Sequence, residues 1–196
     1  MHTWRETYYN TISSMVEMPK EEFEKFYALH TFNSYRKGET VVSEGEVATH
    51  VAFVISGAIC SYYLDQNGEK HIVQIATRGN WISDAQSFLT GNPSSFFVEI
   101  VQDCEVLMLS RKDFELVGND LRNVDRLFRI MMQRAYAEAL QRIAGIFSTS
   151  AEEPYKNLTD SKPYILQQVP LSYIASFLGI KAQSLSRIRK QISGKK

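Results

Sequence analysis

No apolar run approaches the roughly 20 residues needed to cross a bilayer; stretches such as Val51–Ile55 are far shorter. The N-terminus, MHTWRETYYN, has no basic head followed by an apolar run, so no secretory signal is expected and the cytoplasm is the expected compartment. Cysteine is scarce. Cys60 and Cys104 cannot make a disulfide framework and form no CxxC pair, which argues for free core thiols and against zinc or iron–sulfur ligation. The histidines at 2, 30, 50 and 71 are isolated, and His30 shares an apolar helical face with Phe23, Phe26 and Tyr27, where it reads as a core-edge residue. No pair of glycines has the spacing of GxSxG or GxGxxG, and no GK[ST] occurs. No catalytic residue, metal ligand or cofactor is therefore expected, and the chain does not read as an enzyme.

Acid is missing from one end. All 22 acidic residues lie at or before Asp160, while residues 161–196 carry Lys162, Lys181, Arg187, Arg189, Lys190, Lys195 and Lys196. Of 22 basic residues, 22 less 7 leaves 15 against 22 acids in residues 1–160, so a balance of −7 faces one of +7 across a chain of net charge zero. Such asymmetry suits a polyanion partner for the basic end, although a merely solvated tail has the same composition.

The 196 residues suffice for one large domain or two small ones. The first 30 read as helix, with Pro19 at a first helical position. From Phe32 to about Ser110, short β-branched and aromatic runs start near Phe32, Thr40, His50, Ala58, Glu69, Trp81, Ser95 and Glu105. Turn signals separate many of them, among them Lys37-Gly38, Ser56-Gly57 and Asn67-Gly68. That spacing predicts an antiparallel sandwich or jelly roll, with a type I′ hairpin at Asn67-Gly68. From Arg111 the period is helical again. Val124, Phe128, Met131, Ala135, Ala139, Ile143 and Ile146 form one stripe, widened by Leu127 and Met132, on a helix predicted over 121–147. At roughly 40 Å that helix outruns one barrel. Its alanines permit close helix approach, which favours a symmetric dimer seam built on Val124, Phe128, Met131, Ala135 and Ala139. The fold class is α+β: N-terminal helices and an antiparallel β-roll over 1–120, the long helix over 121–147, and a polar connector leading into a helical domain over 148–196.

The last domain holds the strongest motif, LSYIASFLGIKAQSLSRIRK over residues 171–190. A helix-turn-helix needs a small residue midway along its first helix, a residue tolerant of positive φ at the turn, and apolar residues at set spacings. Ala175, Gly179 and the set Ile174, Leu178, Ile180, Leu185 and Ile188 meet all three needs. The second helix then presents Gln183, suited to adenine, and Arg187, suited to guanine, with Ser184 beside them. Ser172, Lys181, Ser184, Ser186, Arg189 and Lys190 complete the DNA-binding candidates, chiefly as phosphate contacts.

This order of elements resembles the Crp/Fnr superfamily of bacterial transcription regulators across nearly the whole chain. RKGETVVSEGE (36–46) is similar to the family's early β-roll strands, GAICSYYLDQNGEKHIVQIATRGNWI (57–82) to its central hairpin and VPLSYIASFLGIKAQSLSRIRKQI (169–192) to its DNA-binding helices. The wording is closest to short Crp/Fnr-like proteins of Bacteroidetes-type bacteria. The resemblance implies a homodimer on near-palindromic double-stranded promoter DNA, with RNA polymerase as a further partner, a β-roll that senses a small-molecule effector, and no membrane association. Cyclic-AMP-binding members carry a Gly-Glu pair and an Arg-Ser or Arg-Thr pair where this chain has Ser83-Asp84 and Ser94-Ser95. These four residues are the effector-site candidates, and the missing arginine implies an effector other than cyclic AMP. Clustered N-terminal cysteines for an iron–sulfur cluster are absent from residues 1–59, and the recognition helix begins with Ala182 where an arginine is usual. Two other readings compete: a cupin-type metal-binding enzyme, and a β-roll interaction module that does not bind DNA.

Overall fold

The computed structural model describes residues 2–146, 151–162 and 164–193. Two helices, α1 (His2–Ser13) and α2 (Lys20–Tyr27), precede six strands: β1 (His30–Tyr35), β2 (Thr40–Val42), β3 (His50–Leu64), β4 (Lys70–Thr77), β5 (Trp81–Ile82) and β6 (Phe97–Ser110). A short α3 (Ala85–Thr90) lies between β5 and β6. Then come α4 (Arg111–Asp120), α5 (Arg122–Ile146), α6 (Glu152–Ser161), α7 (Ile165–Gln168), α8 (Leu171–Phe177) and α9 (Ala182–Ser193). The sheet is antiparallel in the order β1-β6-β3-β4, with β2 on β6 and β5 on β3. The expected α+β class and β-roll are present.

Eight short strands were expected; two pairs of them are fused. Ser56-Gly57 is a bulge inside β3 and not a turn, because the pairing with β6 shifts register between Val54 and Ala58 and then continues. Gly57 has φ +84°, and β6 passes so close that a Cβ there would lie 2.7 Å from the Cα of Cys104. Only glycine fits both conditions. The Asn67-Gly68 hairpin forms but is not type I′, since Gly68 alone has positive φ (+77°) among the described loop residues. Asp65 takes over the loop: its Oδ1 accepts from the amides of Asn67 (2.8 Å) and Glu69 (2.9 Å), which fits a three-residue turn with a glycine bulge. Its other oxygen meets His71 Nε2 at 3.1 Å, so this histidine is less isolated than its sequence context suggests.

The roll core is aromatic at one end. Tyr8 is fully buried among Phe26, Phe53 and Trp81, and Cys60 and Cys104 are free and buried, with thiols pushed up to about 12 chiefly by burial. His30 is a neutral member of this core: Tyr8 Oη lies 2.9 Å from its Nε2 and the Phe26 carbonyl 2.9 Å from its Nδ1. Burial lowers its pKa from an ordinary 6.5 to about 4, against smaller opposing effects of the Phe26 and Tyr27 backbones and of Asp113. Between pH 6.5 and 4 the unfolded chain therefore binds a proton that the folded chain excludes. Stability should be flat in this respect above pH 6.5 and fall by on the order of 3 kcal/mol on acidification to pH 4. Urea midpoints at pH 7 and pH 5 check this, and His30→Gln should flatten the difference.

A second hydrophobic cluster joins the roll to the C-terminal helices. Ala58, Cys60, Tyr62, Ile72, Ile75 and Val101 share it with Tyr155, Leu158, Ile165, Val169, Ile174, Leu178, Leu185 and Ile188. The expected boundary near residue 148 therefore separates elements of the chain, but the buried core runs across it; residues 147–150 themselves lie outside the described chain. No helix among the described residues is long and apolar enough to cross a membrane.

Candidate nucleic-acid interface

The α8–α9 hairpin has the geometry its sequence requires. Gly179 closes α8 at φ +68°, with the Ile180 amide on the Ala175 carbonyl (3.0 Å) and the Gly179 amide on the Ser176 carbonyl (3.0 Å). These are the paired bonds of a Schellman motif, which only a left-handed residue completes without strain. Ala175 is fully buried at the crossing, as are Ile174 and Leu185, with Leu178 and Ile188 nearly so; Ile180 is half-buried.

On α9 the buried Leu185 and Ile188 turn the opposite face outward. Gln183, Ser186, Arg187 and Lys190 are exposed there, and Lys181 and Ser172 are exposed at the starts of α9 and α8. Ser184 and Arg189 are half-buried on the flanks, so they are less available than the sequence alone suggests. Among the described residues none of Lys181, Arg187, Arg189 and Lys190 belongs to an ion pair. The face thus presents uncompensated positive charge around a polar centre, which is the electrostatic requirement for holding a phosphate backbone while side chains reach base edges. Lys195 and Lys196 lie outside the described residues.

Two of the four effector candidates, Asp84 and Ser94, are bonded to each other. Asp84 is buried and caps α3 by accepting from the Ser87 amide (3.1 Å), and its Oδ2 accepts from Ser94 Oγ (2.7 Å). Ser94 is also buried and accepts from the Phe96 amide (3.0 Å). Ser83 donates to the His50 carbonyl (2.9 Å), and Ser95 is exposed. The cleft beside Ser83 has a free volume of about 10 Å³, enough for about one water. A neighbouring groove of about 160 Å³ is lined by Thr31, Asn33, Tyr35, Thr49 and His50, with no carboxylate, lysine or arginine in its lining. A cyclic phosphate needs a compensating cation or several free donors. Neither is present at Asp84 and Ser94, and Arg78 instead points its guanidinium at Thr7 Oγ1 (3.2 Å). Asp84 and Ser94 therefore offer no cation to a cyclic phosphate.

The long helix divides its labour. Val124 and Leu127 are fully buried in the chain's own core, and Phe128 and Met131 pack against it, Phe128 with its ring 4.6 Å from Phe114. Val124 is thus no seam residue: the roll already covers it. Farther along, Met132, Tyr136, Leu140 and Ile143 are 43, 67, 48 and 48% exposed, with exposed Ala135 and half-buried Ala139 between them. The spacing of four, four and three places these large side chains on one face. Tyr136 and Leu140 were missed by a stripe drawn through Val124, although their spacing from Met132 carries the signal. The side chain of Ile146 and all of Phe147 lie outside the described residues.

Comparison with known proteins agrees with this architecture. Residues 32–118 match the cyclic nucleotide-binding domain family. The cAMP-activated global transcriptional regulator CRP of Salmonella typhimurium is 26% identical over 103 residues, 53% of this chain and 48% of that protein. The match thus spans about half the length of that relative. Among solved structures, FixK2 from Bradyrhizobium japonicum superposes with a TM-score of 0.71 at 22% identity over 85% of each chain. A crp/fnr-family regulator from Eubacterium rectale gives 0.65 at 13% identity over 91% of this chain and 85% of that one. At such identities the structural likeness establishes the fold.

Proposed function

Starting from a chain of the Crp/Fnr type with a cyclic nucleotide-binding-like β-roll, we propose that it is a dimeric, sequence-specific DNA-binding transcription regulator of the cytoplasm that does not respond to cyclic AMP. One observation carries the reading: α9 turns Gln183, Arg187 and Lys190 outward from a helix-turn-helix whose apolar positions are filled and whose positive charge is unpaired among the described residues. Two such helices in a symmetric dimer reach half-sites about one helical turn apart, so the footprint is a pseudo-palindrome on promoter DNA. RNA polymerase is the further partner of such a regulator, and any small-molecule effector is one that needs no cationic anchor at Ser94.

Titration of duplexes at two salt concentrations tests this. Arg187→Ala should cost about 1–3 kcal/mol on the cognate site and much less on scrambled DNA, because a bidentate base contact is lost. Equal loss on both duplexes would show that α9 does not read bases. Calorimetry with cyclic AMP should give no binding heat at ligand concentrations on the order of 100 µM, since Asp84 and Ser94 satisfy each other. Micromolar binding would overturn that part.

A further inference from the structure

We infer that the reading helix is set in place by a latch on the open edge of β4, built from Ser176, Lys70 and Arg142. The inference rests on the DNA-binding reading above and names what orients its site.

β4 ends the strand order, so its outward amide and carbonyl groups have no neighbouring strand. Unpaired edge groups are either left to water or covered by another element. Here α8 covers them. Ser176 Oγ accepts from the Ile72 amide (3.0 Å) and lies 3.3 Å from the Lys70 carbonyl, to which it donates. A hydroxyl is both donor and acceptor, so this one side chain does what a neighbouring strand's peptide groups would do. The Ile72 carbonyl is reached from α5 by Arg142 (3.4 Å), whose guanidinium lies 4.8 Å from the Phe177 ring centroid. Two helices, α5 and α8, therefore meet on two residues of one strand.

The Lys70 side chain pins the same corner. Its ammonium pairs with Glu99, lies 4.3 Å from the Tyr62 ring centroid and donates to Tyr173 Oη on α8 (3.3 Å). Glu99 is only 17% exposed and also accepts from Tyr62 Oη (2.8 Å). A paired charge in so screened a place is held more firmly than a surface pair. At the far end of β4, Lys162 donates to Asn80 Oδ1 (3.0 Å), which ties the connector before α8 to the β4–β5 turn.

These contacts fix α8 against the roll, and the Schellman turn and shared core carry α9 with it. On α8 they use Tyr173, Ser176 and Phe177, which leaves the Gln183–Arg187–Lys190 face of α9 exposed. The latched state is the DNA-presenting state. Asp84 and Ser94 bond each other and belong to none of these contacts. Lys70 and Ser176 are positioning residues: they touch no DNA and act through α8.

Amide hydrogen exchange and DNA titration on the full chain test this together. In the wild type the Ile72 amide is protected. In Ser176→Ala it exchanges at least about tenfold faster, the α9 amides of Ile188 and Arg189 keep their protection, and affinity for the cognate duplex falls about tenfold. The slope of affinity against salt is unchanged, because no phosphate contact is removed. Ser176→Thr keeps the hydroxyl and restores both readouts. The pair Lys70→Met with Glu99→Gln, which leaves no unpaired charge, reproduces the loss of affinity. Free exchange of Ile72 in the wild type would overturn the latch. Protection lost in Ser176→Ala with affinity unaltered would overturn its positioning role. A wild type that protects Ile72 but retards no duplex would instead overturn the DNA-binding reading, while the exchange result supports the latch as an element of the fold.

Discussion

Glutamate at both Tyr136 and Leu140 should leave the protein as a single chain of 22.5 kDa in sedimentation, where the wild type is expected to sediment at twice that mass. Both side chains are about half or more exposed in the protomer, at 67 and 48%, so the replacements remove nothing from its own core. In a symmetric seam each new carboxylate meets its own copy or an apolar neighbour. Burying such unpaired charge costs several kcal/mol at each position, which exceeds what a short helical seam supplies. The thermal midpoint of the protomer should hardly change. The residue choice matters, because a charge at Met131 would also disturb the packing against the roll and confuse dissociation with unfolding. A monomeric wild type at micromolar concentration would remove the seam from the proposal, and with it the two-fold footprint.

Gly57→Ala should destabilise the roll by about 2–5 kcal/mol, combining about 1–2 for a non-glycine residue at positive φ with about 1–3 for overpacking. The two contributions separate by comparison with Gly38→Ala. Gly38 has φ +91°, but a Cβ there has nothing within 4 Å, whereas at Gly57 it would press on the backbone of Asp103 and Cys104. Gly38→Ala should therefore show only the backbone part, about 1–2 kcal/mol. Urea unfolding of the three proteins at one pH gives the comparison. Equal losses would mean that β6 yields and that the close approach at the bulge is not rigid.

That bulge also shows where sequence reading stops. Ser56-Gly57 and Asn67-Gly68 are both turn signals in a chain of alternating strands, and only one reverses the chain. Positive φ at a glycine is a local property and is readable; whether it bends a strand or ends it depends on what lies across the sheet. For Gly57 that is residues 103–104, nearly fifty positions away, and no local pattern encodes them. The fusion of the expected strands at 95 and 105 into β6 follows from the same pairing.

The helix-turn-helix lies at the readable extreme. Ala175, Gly179 and the apolar spacing through Ile188 sit within fifteen positions, and each acts on near neighbours, so composition and period alone determined the motif; of the edge Gln183, Ser184 and Arg187 that they predict, Gln183 and Arg187 are exposed and Ser184 is half-buried. Charge asymmetry was likewise a property of the chain as written. What only the tertiary structure decided are the matters in which distant residues compete for one surface. The roll claims Val124 and leaves Tyr136 and Leu140 uncovered, Ser94 satisfies Asp84, and α8 claims the open edge of β4. Amphipathic period states that a helix has an apolar face, but which part of the face its own chain covers is set by where the roll ends. A serine or a lysine advertises a hydrogen bond in the sequence, but its partner is settled only when folding brings a strand edge or a carboxylate within 3 Å or so.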